Sequence, residues 1–201
     1  MNLPNKLTLL RVFMVPVFLV FALIDTIPYN EFIAVGIFAL ASITDALDGY
    51  IARKNNLVTN FGKFLDPLAD KVLVMAALLC LVQMGYIGSV PVIIILAREF
   101  MVSGLRLVTA NEGVVVPAGI WGKLKTAFTM IAIIVIFIIA GLFGQGTVFG
   151  EALYNSTEQF ENFYVLIFVI PAILIWIATI LTVISGVQYL FAYRKYIDTT
   201  K

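Results

Sequence analysis

The sequence predicts an all-α integral membrane protein, with six transmembrane helices and a short N-terminal amphipathic segment in one domain spanning 1–201. Three observations predict this. The chain is 62% hydrophobic and only 12% charged, whereas a soluble domain is nearer half apolar and a quarter charged. The apolar residues fall into blocks of ~20, the length that crosses the hydrocarbon core of a bilayer. The basic residues gather on one side of those blocks, the asymmetry that orients membrane proteins.

Residues 1–11 mix Leu with Asn, Lys, Thr and Arg and predict an interfacial segment leading into the first span. No small-residue cleavage site follows before Asp25, so an uncleaved helix is expected rather than a signal peptide. The spans are expected near 12–27, 31–52, 63–84, 89–109, 124–143 and 162–191. With the N-terminus in the cytoplasm, the links at 26–30, 85–88 and 144–161 lie outside. Those links and their margins carry Asp25, Glu31, Glu151, Glu158 and Glu161, and no Lys or Arg. All 13 basic residues then fall toward the cytoplasm, Arg98 alone lying deep. A multi-pass cell-membrane protein with its site facing the cytoplasm is expected. No nucleic-acid partner is expected.

Against that apolar background, four aspartates stand within 26 residues: Asp45, Asp48, Asp66 and Asp70. Helical spacings of three and four put Asp45 with Asp48 on one face, and Asp66 with Asp70 on another. If two antiparallel helices bring those faces together, four carboxylates converge. Desolvation and mutual repulsion oppose four bare charges beside a bilayer. Two divalent cations would cancel a formal charge of −4, and all-oxygen ligands suit Mg²⁺ or Mn²⁺. With no His and a single Cys, Cys80, imidazole and thiolate-cluster sites are excluded.

The neighbours of the aspartates fit a phosphate ligand. Gly49 leaves the backbone open to close approach, Ala52 keeps the region small, and Arg53 offers a planar fork suited to phosphate. The polar turn from Lys54 to Asn60 adds donors. Pro67 is expected in the first turn of its helix, with Asp66 at or near the N-cap. Paired metals beside phosphate donors point to phosphoryl transfer, and six spans point to a lipid-borne phosphate.

The pattern Asp45-x2-Asp48-Gly49-x2-Ala52-Arg53-x8-Gly62-x3-Asp66-x3-Asp70 resembles, without a departure, the signature of the CDP-alcohol phosphotransferases. The resemblance implies that family's fold, a six-span homodimer with a polar cavity open to the cytoplasm and two divalent metals. It implies that Asp45, Asp48 and Asp66 are metal ligands, and that Asp70 is both a ligand and the base for the acceptor hydroxyl. Gly49, Arg53 and Thr59 match positions holding the CDP part of the donor. Asn5 and Thr8, in Pro4-Asn5-x2-Thr8-x2-Arg11, resemble the family's nucleotide-facing entry segment.

The acceptor side is carried by other residues. Arg98-Glu99-Phe100, Gly104-Leu105-Arg106 and Gly122-Lys123-x-Lys125-Thr126 resemble the family members that form phosphatidylglycerophosphate. Arg98 and Arg106 are about 80° apart around a helix and share a broad face. An intramembrane arginine is expensive and usually lines a cavity. With Lys123 and Lys125 they suggest an anionic second substrate such as glycerol 3-phosphate, though the same residues also stand where topology anchors are expected. The expected reaction transfers the phosphatidyl group of CDP-diacylglycerol to sn-glycerol 3-phosphate and releases CMP. Rival readings are another acceptor, inositol phosphate or phosphatidylglycerol, and a cation transporter using the aspartates as an ion path. A transporter would place its carboxylates at the midplane of broken helices rather than at one end.

Overall fold

The computed structural model describes the backbone at residues 3–54, 60–111, 119–144, 147 and 163–194. Six long helices and no strand occur among them: α1 (Leu3–Leu23), α2 (Asn30–Lys54), α3 (Asn60–Gln83), α4 (Ser89–Asn111), α5 (Ile120–Phe143) and α6 (Ile170–Tyr193). A π-helical turn over Val165–Val169 leads into α6. Pro171 explains its place, because it has no N–H to give the Ile167 carbonyl one turn back. Among the described residues, three stretches are long and apolar enough to cross a membrane: Lys6–Leu23, Ile120–Phe143 and Val165–Tyr193. Asn30–Thr44 and Lys71–Gln83 are shorter apolar helices. Charged residues at Arg98, Glu99 and Arg106 interrupt the middle of α4.

The chain divides into two compact units. The first comprises Met1–Tyr86 and Ile133–Ile167, the second Ile87–Ala132 and Phe168–Lys201, so one boundary falls within α5.

In the first unit α1 packs against both α2 and α3, and α2 packs against α3. The buried face of α1 repeats at three and four residues: Thr8, Arg11, Val15, Phe18 and Ala22. Ala34, Phe38 and Ala41 of α2 and Ala69, Leu73 and Ala77 of α3 are buried likewise, and the alanines among them let helices approach closely. Phe18 is the centre of this core. Its ring lies 6.1 Å from Phe38 and meets Phe137 edge-on at 5.6 Å, a geometry aromatic pairs favour. Gly85, at φ 81°, ends α3 in the left-handed conformation, and Tyr86 N–H donates to the Leu81 carbonyl at 3.0 Å. This is the usual glycine-terminated helix end.

Two expectations are corrected here. No break separates residues 3–11 from the first span. Pro4 falls in the first turn, where its missing N–H costs nothing, and Thr8 and Arg11 are buried on the packed face rather than lying at an interface. Likewise α3 begins at Asn60, so Asp66 lies beyond its first turn and is not an N-cap, and Pro67 lies inside the helix. The Lys63 carbonyl thereby loses its helical donor, a loss that neighbouring groups make good in membrane helices.

In the second unit α4 packs on α6. The buried stripe of α6 runs through Ile175, Ala178, Thr179, Thr182, Ser185, Gly186 and Tyr189. Thr179 and Thr182 donate to the Ile175 and Ala178 carbonyls one turn back, at 2.8 and 2.7 Å. Their hydroxyls are thus satisfied within the helix.

Candidate functional site

Asp45 and Asp48 fall in the closing turns of α2, and Asp66 and Asp70 in the opening turns of α3. Asp48 is six residues from the end of α2 and Asp66 six residues from the start of α3, so each stands about 9 Å along its helix from the connection. The two pairs occupy matching depths on consecutive helices that pack together. Their backbones are helical, so the members of each pair are three or four residues apart on one helix, about one turn. The side chains of all four lie outside the described residues, as do those of Asn5, Gly49 and Arg53. Thr59 lies outside them altogether. Gly49 and Arg53 are placed by backbone in the last two turns of α2, and Asn5 in the first turn of α1. Carboxylates are oxygen donors, and four of them on these two helices have the chemistry to hold a hard divalent cation.

The second unit holds a cluster whose side chains are described. Arg98 is only 8% exposed and donates from Nη2 to Ser185 Oγ at 2.6 Å. Its Nη1 lies 3.5 Å from Glu99, which also pairs with the buried Lys125. Arg106, one face along α4, donates from Nη2 to the Tyr189 hydroxyl at 2.9 Å. The Gly119 N–H, immediately before α5, donates to the same oxygen at 3.0 Å. Both guanidiniums stand over the Tyr189 ring, each 5.4 Å from its centroid, within the range of cation–π attraction. Tyr193 stacks on Tyr189 at 6.3 Å and 23°.

Of the basic residues expected to share a site, Arg98 and Arg106 are therefore brought together. Lys125 joins them through Glu99, and Lys123 is exposed in the first turn of α5. Reading the sequence missed three participants on α6: Ser185, Gly186 and Tyr189. A methyl group built on Gly186 would stand 2.9 Å from Arg98 Cγ, so only glycine lets that side chain lie flat on α6. Their spacing of one and four residues was the available signal, because it puts all three near one face. In an apolar stretch they look like packing residues. Tyr193 is half-buried, packed against Tyr189.

The cluster pairs three cations with one carboxylate, an excess of positive charge suited to an anion with several oxygens. The aspartate quartet is suited to a diphosphate held through metals.

Comparison with known proteins identifies the family. The family model for CDP-alcohol phosphatidyltransferase matches residues 1–187. A Bacillus subtilis protein named CDP-diacylglycerol–glycerol-3-phosphate 3-phosphatidyltransferase is 42% identical, covering 94% of this chain and 93% of the relative. A Rickettsia bellii protein of the same name is 39% identical over 97% of both chains. One from Haemophilus influenzae, also so named, is 39% identical over 94% of this chain and 91% of its own.

Proposed function

The chain belongs to the CDP-alcohol phosphatidyltransferase family, and from that premise we propose that it makes phosphatidylglycerophosphate. It is a membrane transferase of phospholipid biosynthesis that moves the phosphatidyl group from CDP-diacylglycerol to sn-glycerol 3-phosphate and releases CMP. The observation that carries this reading is identity near 40% over almost the whole length of relatives bearing that activity's name. The cation cluster of the second unit supports it, because an anionic acceptor needs such groups and a neutral or cationic alcohol does not.

Asp45, Asp48, Asp66 and Asp70 hold two divalent cations, Mg²⁺ or Mn²⁺. When bound, these ions would neutralise charge on the transferred phosphate and the departing CMP. Asp70 takes the proton of the acceptor's 1-hydroxyl. The freed oxygen bonds to the phosphorus bearing diacylglycerol as the bond from that phosphorus to the CMP oxygen breaks. Gly49, Arg53 and Thr59 hold the cytidine diphosphate part, with Asn5 and Thr8 at the entry. Arg98, Arg106, Lys123 and Lys125 take the acceptor's phosphate.

The six helices are six spans in this reading, with the aspartates at the cytoplasmic ends of α2 and α3. The lack of basic residues in the opposite links supports that orientation. The enzyme acts as a homodimer in the cell membrane. An acceptor panel tests the function: purified enzyme with CDP-diacylglycerol should release CMP with glycerol 3-phosphate, and not with inositol phosphate or phosphatidylglycerol. Turnover with one of those two alone would reassign the acceptor. Ion uptake into liposomes without CMP release would replace the enzyme reading with a transporter.

A further inference from the structure

One oxygen in the second unit joins three helices. The Tyr189 hydroxyl, on α6, accepts from Arg106 of α4 and from the Gly119 N–H at the threshold of α5. Its ring, 5% exposed, stands beneath two guanidiniums whose like charges repel. The ring's negative face offsets that repulsion, and the stacked Tyr193 limits the plane the ring can take. Arg106 is itself exposed, and a long exposed guanidinium samples many rotamers unless something fixes it.

We propose that Tyr189 is a positioning residue for an anion site: its hydroxyl fixes Arg106 relative to the start of α5, which carries Lys123 and Lys125, so that the cations converge on one phosphate monoester. The charge balance suits that ligand. Arg98, Arg106 and Lys125 against Glu99 leave two net positive charges among these four side chains, matching a phosphate dianion. The proposal rests on the reading of these cations as the acceptor's phosphate site and adds the element that arranges them.

The test is Tyr189→Phe in the full-length enzyme, which keeps the ring and removes the hydroxyl. Kinetics in both substrates are measured with inorganic phosphate as a competitive inhibitor, alongside Arg106→Ala as a reference. Losing a hydrogen bond to a charged group should raise the KM for glycerol 3-phosphate and the phosphate inhibition constant by about tenfold. The KM for CDP-diacylglycerol and kcat should stay within about twofold, since neither depends on Arg106. Combined with Arg106→Ala, the substitution should add little further, because both remove the same interaction. Arg106→Lys, which keeps the charge without the planar fork, should show the same split and serves if Tyr189→Phe does not fold. Wild-type kinetics in Tyr189→Phe, with a raised acceptor KM in Arg106→Ala, would overturn the positioning role and leave the acceptor site standing. An equal loss in both substrates with a lowered unfolding temperature would reduce Tyr189 to a packing residue. An unchanged acceptor KM in Arg106→Ala would remove the underlying reading instead.

Discussion

Arg98 and Ser185, 87 positions apart in sequence, meet through a 2.6 Å hydrogen bond between guanidinium and hydroxyl. A buried cation keeps its charge at tolerable cost only when its donors are met. Ser185→Ala takes away the acceptor and leaves that donor unsatisfied, a cost of about 1–3 kcal/mol. The variant should unfold about 2–4 °C lower for each kcal/mol lost. Thermal unfolding in detergent checks this, and an unchanged midpoint would show that Arg98 finds another acceptor there.

Gly186 lies under the same arginine. A methyl group at that position comes within 2.9 Å of Arg98 Cγ, in the middle of the side chain, where little give is available. Gly186→Ala should destabilise by about 1–3 kcal/mol through overpacking. It should also raise the KM for glycerol 3-phosphate severalfold as Arg98 is pushed away. Equal shifts in donor and acceptor KM would count against a local effect.

On the roles proposed above, Asp70→Asn would keep most of the oxygen ligands and remove the base. Turnover should fall by about 10²–10⁴-fold, the usual contribution of a positioned base. Binding of CDP-diacylglycerol should remain measurable by equilibrium methods. Near-normal CMP release from this variant would move the base elsewhere.

Chelation gives an independent test of the carboxylate quartet. Exhaustive treatment with EDTA should abolish CMP release, and Mg²⁺ or Mn²⁺ should restore it. Full activity after chelation would mean that the four aspartates hold no catalytic metal.

Tyr86, in the link between α3 and α4, has its hydroxyl pushed up to about 12 by burial, with the charges of Glu31 and Asp25 adding to it. A phenol near its ordinary value of ~10 in the unfolded chain loses its proton first. Between pH 10 and 12 the folded state therefore binds more protons, so the stability from neutral Tyr86 falls as pH rises through that window. Tyr86→Phe should flatten this part of the alkaline decline in unfolding temperature. Parallel declines in the two proteins would refute the assignment.

The helices were legible because ~20-residue apolar blocks leave little choice about the elements. Their edges were less so. The start of α1 at Leu3 was hidden by Asn5, Lys6, Thr8 and Arg11, which read as interfacial, yet two of the four are buried. Pro67 was read as a helix start because its ring usually forces one, but α3 begins a full seven residues earlier. The aspartates were legible as a motif because carboxylates are costly in such a chain and their spacing fits one helix face. Arg98 and Arg106 were legible as neighbours from helical geometry alone. Ser185, Gly186 and Tyr189 were not. What marks them is contact with residues more than 80 positions away, and no local pattern separates such contacts from ordinary packing.

The threonines of α6 carry one more implication. Thr179 and Thr182 turn their hydroxyls back onto their own helix, whereas Ser185, next on the same stripe, receives Arg98. Two of the three alcohols thus spend their hydrogen on their own helix, and of the three it is Ser185 that meets the charged visitor from α4. Polarity inside this oily half of the protein works as an address rather than a gradient: Ser185 receives Arg98 and Tyr189, one turn on, receives Arg106, so the two pairs together set the register of α4 on α6.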